Sequence, residues 1–206
     1  RSRGLGDVYK RQVIGRDGYM IPKKIHYCWF GKGKKSKLAL KCIRSWRQYC
    51  PEYEVIEWNE ENFDIDMNGY TRMCYAEKKY AYLSDYVRLW VVEKYGGIYF
   101  DTDVEVIRSL EELLRNDAFF CFENKQYVAS GLGFGSVAHG KVIQAMLKEY
   151  EILLDGKNGV RMCPKLNTQA LVALGLKQNG RKQNVCEAVI YPMDVLNPYN
   201  LSLIHI

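Results

Sequence analysis

Apolar and polar residues follow two periodicities along the chain, and their alternation predicts a series of strands and helices. Short apolar runs or period-two alternations predict strands at residues 24–29, 53–57, 98–100, 118–122 and 188–191. Apolar residues at helical spacing predict helices at residues 38–49, 70–80, 84–95, 142–154 and 168–174. Strands that alternate with helices in this way are typical of one α/β domain with a mainly parallel sheet covered by helices.

The two ends of the chain look foreign to that domain. Residues 7–12 can be back-translated as GAT GTG TAT AAG AGA CAG, and the reverse complement of this DNA encodes residues 201–206. We interpret residues 1–12 and 201–206 as adapter-derived sequence and exclude them from fold reasoning. The natural domain is then expected at residues 13–200, with Met20 as a candidate start and a C-terminus that is cut short.

Charge and cysteine content narrow the class of protein. The formal charge is +6, and about +3 is left when the two ends are removed, a balance that does not suggest nucleic-acid binding. The seven cysteines form no CxxC pair and no zinc-like spacing, which predicts free thiols in a reducing compartment. No stretch is apolar enough to span a bilayer. These features favour a cytoplasmic setting.

The segment that carries chemistry is a predicted helix, a glycine pair and a short strand that leads into Asp101 and Asp103. Residues two apart in an extended chain point the same way, and α/β sheets bind ligands at the carboxyl ends of their strands. Two carboxylates there offer hard oxygen ligands for Mg²⁺ or Mn²⁺. Asp85 and Arg88 share a face of the helix that Ser84 is predicted to cap. Arginine can bind phosphate, and aspartate can accept hydrogen bonds from sugar hydroxyls.

Each of these features has a structural alternative. A lone D-x-D is more often a solvated turn, and Asp85 with Arg88 can equally be a surface ion pair that contributes little. An apolar strand followed by Asp101-Thr102-Asp103 also fits the nucleophile motif of haloacid-dehalogenase-type phosphatases, in which the first aspartate attacks phosphorus. The motif lies mid-chain here, and the downstream acids are isolated, which argues against a phosphatase.

Three segments together resemble a known family. They are IPKKIHYCWFG at residues 21–31, Ser84-Asp85 with Arg88, and GGIYFDTD at residues 96–103. They resemble the DXD-containing sugar-binding glycosyltransferases, which include yeast outer-chain mannosyltransferases, bacterial capsular-polysaccharide transferases and, more distantly, the large clostridial glucosylating toxins. The resemblance spans about residues 21–200. It implies a GT-A (Rossmann-like) fold, a nucleotide-sugar donor, Mn²⁺ or Mg²⁺, and retention of anomeric configuration.

The resemblance also implies roles for individual residues. Asp101 and Asp103 would hold the metal and the diphosphate of the donor. Asp85 and Arg88 would contact the donor sugar and phosphate. Trp29, at the end of the first strand, would stack on the nucleobase, as aromatic faces can. Without the resemblance, a core tryptophan is the favoured interpretation of this residue.

Two further segments match the family on the other side of the predicted cleft. Gly131 and Gly133 fall in a GLGFG segment on the acceptor side, where glycine permits close backbone approach, although a plain turn between strands is the alternative. Asn167 and Thr168 fall in a family-like helix start, where capping is the favoured role.

The remaining expectations concern partners and completeness. His26 is predicted to be a packed strand histidine and His139 a loop residue, so neither is assigned a catalytic role. The resemblance implies no carboxylate nucleophile, so metal-assisted front-face displacement is the expected mechanism. The expected donor is a UDP- or GDP-sugar, and the expected acceptor is a glycan or lipid-linked polysaccharide, with peripheral association at the inner face of the membrane. Relatives continue past residue 200 with a segment bearing His and Trp, so this chain is expected to transfer little sugar. A non-catalytic nucleotide-sugar-binding module is the alternative.

Overall fold

A computed structural model describes residues 20–196, and a seven-stranded sheet forms the centre of this part of the chain. Its strands are β1 (Lys24–Cys28), β2 (Glu54–Trp58), β3 (Gly97–Tyr99), β4 (Ala118–Cys121), β5 (Phe134–Ser136), β6 (Gln183–Val185) and β7 (Ala188–Tyr191). The helices are α1 (Lys37–Tyr49), α2 (Gly69–Ala76), α3 (Tyr80–Tyr95), α4 (Glu111–Leu114), α5 (Lys141–Lys148) and α6 (Cys163–Ala173). Short 3₁₀ turns lie at Glu151–Leu153 and Met193–Val195. The predicted adapter ends, 1–12 and 201–206, lie outside the described residues.

The strand order is β2-β1-β3-β5-β4-β7-β6. The pairs β1–β2, β1–β3 and β4–β7 are parallel, whereas β5 runs antiparallel to both of its neighbours and β6 runs antiparallel to β7. Five of the seven strands therefore point the same way, which confirms the predicted α/β fold with a mainly parallel sheet. The two reversed strands were not predicted, because β5 is short and glycine-bearing and β6 is largely polar.

Helices cover both faces of the sheet, and strand alternation divides the buried residues between two core layers. In β3, Tyr99 contributes to the layer beneath α3, α5 and α6, while Ile98 contributes to the layer beneath α1. In β4, Phe120 and Phe119 divide between the layers in the same way. Successive strand side chains point to opposite faces, so the apolar run of each buried strand supplies both layers.

The chain breaks between α2 and α3, where one continuous helix at 70–80 was predicted. Lys78 has a φ of 55°, and α3 begins at Tyr80. The prediction that Ser84 caps this helix is wrong, because Ser84 lies inside α3 and its Oγ donates to the Tyr80 carbonyl at 2.9 Å. A true cap precedes α2, where the Asn68 side chain accepts from the Thr71 amide at 2.9 Å.

Helix α6 begins at Cys163, five residues before the start predicted at residue 168. Pro164 in its first turn is the start signal that fits this boundary. Asn167 and Thr168 therefore lie within the helix, and the capping role favoured for them is wrong. The Thr168 hydroxyl instead accepts from the Val128 amide at 2.9 Å, which ties the helix to the segment after β4.

The histidine predictions agree with the structure. His26 is fully buried in β1, where its Nδ1 accepts from Trp58 Nε1 at 3.0 Å and its Nε2 donates to the Gly96 carbonyl at 2.8 Å. Burial lowers the pKa of His26 to about 4, so the imidazole is neutral near pH 7. His139 lies in the loop before α5, and its Nδ1 lies 2.9 Å from Glu93 Oε1.

Two further predictions concern the cysteines and the possibility of a membrane span. All seven cysteines are free thiols, and only Cys186 is exposed. Within residues 20–196, no helix has both the length and the apolar character needed to cross a lipid bilayer.

Candidate functional site

The paired aspartates follow β3 at the edge of the sheet where the parallel strands end. The Phe100 amide donates to the His26 carbonyl at 3.1 Å, which extends the β1–β3 ladder by one bond. The Asp101 amide then donates to the Gly131 carbonyl at 3.2 Å, and the Val104 amide closes a tight turn on the Asp101 carbonyl at 3.1 Å. The aspartates thus lie at the carboxyl edge, where open α/β sheets bind ligands.

Helix α1 holds the loop that follows the aspartates. Three side chains of the helix reach the loop at hydrogen-bond distance. Trp46 Nε1 donates to the Val104 carbonyl at 2.8 Å, and Ser45 Oγ accepts from the Val106 amide at 2.9 Å. Lys41 Nζ donates to Glu105 Oε2 at 2.7 Å. The backbone around Asp103 is therefore fixed from outside the sheet as well as by β3.

A buried arginine joins the two predicted pairs. Arg88, whose side chain is 5% exposed, places Nη2 2.8 Å from Asp85 Oδ1 and 3.1 Å from Asp101 Oδ1. Its Nε donates to the Ser84 carbonyl at 3.2 Å, and its guanidinium lies 4.9 Å from the centre of the Tyr99 ring. The Tyr99 hydroxyl donates to Asp101 Oδ1 at 3.1 Å. Asp85 with Arg88 is therefore a buried pair that organises Asp101, and not a surface ion pair.

The electrostatic balance of this cluster is negative. Burial raises the pKa of Asp101, the Arg88 guanidinium opposes that rise, and the neighbouring Asp103 carboxylate adds to it. The pKa of Asp85 is also raised, again by burial against the opposing effect of Arg88. Asp103 is exposed, and it has no ion-pair or hydrogen-bond partner for its side chain among residues 20–196. Two carboxylates that share one guanidinium, with the unpaired Asp103 carboxylate beside them, favour the binding of a cation.

Asp101 and Asp103 suit Mn²⁺ or Mg²⁺ in ligand type, because both cations prefer carboxylate oxygens. Across the described part of the chain, no three His, Cys, Asp or Glu side chains come together closely enough to hold a metal. The two aspartates would thus supply part of a coordination shell and leave positions for other oxygen ligands. The fit supports the predicted metal role of these two residues as a hypothesis.

Two clefts meet at Arg88, Asp101 and Asp103, which line both. The aromatic cleft has a volume of about 330 Å³ and is otherwise lined by Cys28, Trp29, Phe30, Tyr80, Ala81, Ser84, Tyr99 and Thr102. The polar cleft has a volume of about 240 Å³ and is otherwise lined by Asp85, Glu123, Ala129, Ser130, Gly131, Leu132, Cys163 and Pro164. Because the three shared residues lie between them, the clefts form one groove with the carboxylates near its middle.

Trp29 lies in the aromatic cleft and is only half-buried. Its Nε1 donates to the Gly33 carbonyl at 2.7 Å, and Lys35 Nζ lies 5.5 Å from the ring centre. The ring is therefore held at a cleft wall, and the alternative of a core tryptophan does not describe it. Its stacking on a nucleobase stays a prediction.

The two predicted acceptor-side glycines have different positions. A Cβ at Gly131 would collide with Asp101 Oδ2 and lie 2.9 Å from Arg88 Nη1, so this glycine lets the polar cleft reach the carboxylate. Gly133 lines neither cleft. Gly133 has a φ of 123°, and a Cβ on it would lie 2.7 Å from the Phe100 ring. Glycine is therefore required here by the turn that leads into β5.

Sequence reasoning missed a buried polar network behind the polar cleft. Asn167 Nδ2 donates to Ser130 Oγ at 3.0 Å and lies 3.1 Å from Cys163 Sγ. The Ser130 Oγ and Cys163 Sγ atoms are themselves 3.0 Å apart. Arg88 Nη1 lies 3.5 Å from Ser130 Oγ, which connects the network to the arginine. Burial raises the pKa of Cys163 to about 12, so this residue is a neutral thiol. Only Asn167 carried a signal in the sequence, through its family-like segment.

The chain is similar to glycosyltransferases in fold and in part of its sequence. The solved structure of the PaToxG glycosyltransferase has the same fold, with a TM-score of 0.59 over 74% of this chain and 68% of that chain, at 18% identity. Residues 36–120 match the family model of the glycosyltransferase sugar-binding region containing the DXD motif. Asp85, Arg88, Asp101 and Asp103 all lie within it.

The chain is also similar in sequence to a mannosyltransferase. Inositol phosphoceramide mannosyltransferase 3 of Schizosaccharomyces pombe is 31% identical over 122 residues, which cover 56% of this chain and 33% of that protein. The chain thus spans about a third of the length of that relative. The match over residues 36–120 favours the sugar-binding interpretation of Asp101-Thr102-Asp103 over the phosphatase interpretation.

Proposed function

We propose that the protein binds a nucleotide sugar with Mn²⁺ or Mg²⁺ and transfers the sugar to a glycan or lipid-linked acceptor, with retention of anomeric configuration. One observation carries this proposal. Asp101 is fixed by Arg88 and Tyr99 at the meeting point of two clefts, and Asp103 beside it is exposed with no side-chain partner in the described segment. A fixed carboxylate next to a free one suits a cation that must also accept phosphate oxygens.

The two clefts suggest how a donor would lie. The nucleobase would stack on Trp29 in the aromatic cleft, and the diphosphate would lie at Asp101 and Asp103. The sugar would then extend into the polar cleft beside Asp85. A bound divalent cation would offset the negative charge that develops on the departing nucleoside diphosphate. Arg88 acts mainly through Asp101, because its Nη2 and Nε are already engaged by protein oxygens.

The named relative guides the choice of probes. Its name describes a mannosyltransferase that acts on inositol phosphoceramide, a lipid. This supports GDP-mannose as a donor probe and a lipid-linked acceptor as the first acceptor class. That the protein works at the inner face of a membrane stays a prediction from the sequence.

The test is calorimetric titration of UDP, GDP, UDP-glucose and GDP-mannose into the wild type, with Mn²⁺ and with a chelator. We expect binding that depends on Mn²⁺, and we expect Asp103→Asn to weaken it by at least about 10-fold, the lower end of the loss caused even by outer-shell changes at metal sites. The melting temperature should hardly change, because exposed substitutions usually alter stability by less than about 0.5 kcal/mol. Asp194→Asn, at an exposed aspartate outside both clefts, is the matched control.

Equal binding of every nucleotide with and without the chelator would refute metal dependence. Sugar transfer is measured separately, with the full-length protein and a lipid acceptor. Binding of a donor without any turnover by the full-length protein would identify a binding module in place of an enzyme.

A further inference from the structure

One carboxylate of the polar cleft is not accounted for by the arginine cluster or by the paired aspartates. Glu123 follows β4, lines the polar cleft and is half-buried. Its side chain has no hydrogen-bond or ion-pair partner within the part of the chain that the structure describes. It also lies beyond residues 36–120, the segment that matches the family.

The backbone around Glu123 is rigidly placed. The Glu123 amide donates to the Tyr127 carbonyl at 2.8 Å, which closes a hairpin over residues 123–127. At the base of the hairpin, the Val128 amide donates to Thr168 Oγ1 at 2.9 Å. At its tip, Gln178 Nε2 donates to the Gln126 carbonyl at 2.7 Å. A side chain on a fixed backbone loses less conformational entropy when it binds a ligand, so Glu123 is suited to recognition.

The surroundings of Glu123 exclude two other roles for it. It is not a third ligand beside Asp101 and Asp103 in this arrangement, because no group of three such side chains in residues 20–196 can hold a metal. Arg88, the cation of the polar cleft, is already shared by Asp85 and Asp101 and does not reach Glu123. A carboxylate with free lone pairs in a cleft can accept hydrogen bonds from hydroxyl groups.

We propose that Glu123 accepts a hydrogen bond from a hydroxyl of the transferred sugar and so contributes to the choice of sugar. This rests on the proposed function. Glu123 lines only the polar cleft, and Asp101 and Asp103 separate it from Trp29 in the aromatic cleft. A donor with its base at Trp29 and its diphosphate at the aspartates brings its sugar, and not its nucleotide, towards Glu123.

The test compares nucleotide sugars with their parent nucleotides in the presence of Mn²⁺. GDP-mannose, GDP, UDP-glucose and UDP are titrated calorimetrically into the wild type, Glu123→Ala and Glu123→Gln. We expect Glu123→Ala to lower the affinity for the preferred nucleotide sugar by about 10-fold or more, as the loss of a hydrogen bond to a charged group does. The affinity for the parent nucleotide should be unchanged, and Glu123→Gln should show a smaller loss, because its amide oxygen still accepts. Glu112→Ala, at an exposed glutamate outside both clefts, is the control.

The possible results are distinguishable. Unchanged nucleotide-sugar affinity in Glu123→Ala, with a wild type that binds the sugar nucleotide, would overturn the role of Glu123 and leave the proposed function standing. An equal loss for the nucleotide sugar and its parent nucleotide would also overturn it, because the effect would then not involve the sugar. A folded wild type that binds none of the four probes would overturn the proposed function and this inference with it.

Discussion

The aromatic cleft and the polar cleft share three residues but are built from different parts of the chain. The aromatic cleft is formed by the end of β1, the first turns of α3 and the end of β3. Most residues of the polar cleft come after residue 120, from the segment that follows β4 and from the start of α6. The matched family segment, residues 36–120, therefore contains the shared carboxylates but little of the polar cleft.

The matched segment thus covers the shared residues and part of the aromatic cleft, whereas Trp29 and most of the polar cleft lie outside it. The shared residues and Tyr80, Ser84 and Tyr99 lie in the matched segment, where a nucleotide and a cation are proposed to bind. Glu123, Ser130 and Cys163 lie outside it and would face the sugar. We therefore expect changes at the shared residues to affect both clefts, and changes in one cleft to affect one part of the donor.

The largest effect is expected at the residue that joins the clefts. Arg88→Ala leaves Asp85 and Asp101 buried without their cation, so we expect the free energy of unfolding to fall by about 3–5 kcal/mol. Urea denaturation followed by circular dichroism measures this change. Arg72→Ala removes an exposed pair with Asp66 (2.8 Å) and should cost about 1 kcal/mol or less. If Arg88→Ala lowered the free energy of unfolding by only about 1 kcal/mol, the ion pairs of Arg88 would not stabilise the fold as we expect.

A second effect concerns the strand that leads into the aromatic cleft. His26 has a pKa of about 4 in the folded protein, below its usual value of 6.5, so the unfolded chain binds more protons between these values. Its contribution is fully present above pH 6.5 and is lost as the pH falls towards 4. We expect about 2 kcal/mol less stability at pH 5 than at pH 7 from this group.

The His26 titration can be followed by NMR of the imidazole protons, and the stability by urea denaturation at each pH. Asp85 and Asp101 act in the opposite direction at the acid end, because their raised pKa values favour the folded state as they become protonated. An imidazole of His26 that titrates near its usual pKa would contradict the prediction.

A third, smaller effect distinguishes the polar cleft. Gly131→Ala places a methyl group against Asp101 Oδ2 and Arg88 Nη1, so these side chains must shift. We expect about a tenfold loss of nucleotide-sugar affinity, ~1.4 kcal/mol, within the range for overpacked sites. Gly33→Ala is the control beside the aromatic cleft, because no atom lies within 4 Å of its added Cβ. Equal affinities for the two variants would show that Asp101 tolerates the displacement.

The smallest effect is expected from the aromatic cleft itself. Trp29→Ala should cost about 1 kcal/mol for nucleotide and nucleotide sugar alike, the low end of the range for base stacking. The low value is expected because the Trp29 ring is already engaged by Lys35. Binding of GDP and GDP-mannose, or of UDP and UDP-glucose, measures both losses in one series. A loss confined to the nucleotide sugar would place the sugar, and not the base, at Trp29.

The periodicity of apolar residues within single segments was sufficient to predict most of the secondary structure. The buried strands and the amphipathic helices were found, as was the placement of Asp101 and Asp103 at a strand end. Element boundaries failed where a competing signal was stronger. The Ser84 hydroxyl resembled a cap, but the left-handed Lys78 had already ended the preceding helix.

Contacts between segments that are far apart in the chain could not be predicted from such patterns. Ser130 and Cys163 meet across 33 residues, and Arg88 reaches Ser130 across 42. No periodicity or spacing within either segment indicates such a contact, since the turn after β4 and the start of α6 are brought together by the sheet. Apart from Asp85, Arg88, Asp101 and Asp103, the polar cleft was therefore represented in the sequence only by Gly131 and by a family-like helix.

The attachment of the aspartate loop to α1 has a consequence for protein engineering. Trp46, Ser45 and Lys41 hold the backbone that follows Asp103, although they lie more than fifty residues earlier in the chain. Grafting the strand and its D-x-D alone onto another scaffold would transfer the ligands without the frame that aims them. The smallest transplantable unit therefore comprises β1, α1, α3 with Arg88, and β3 together with the loop to residue 106.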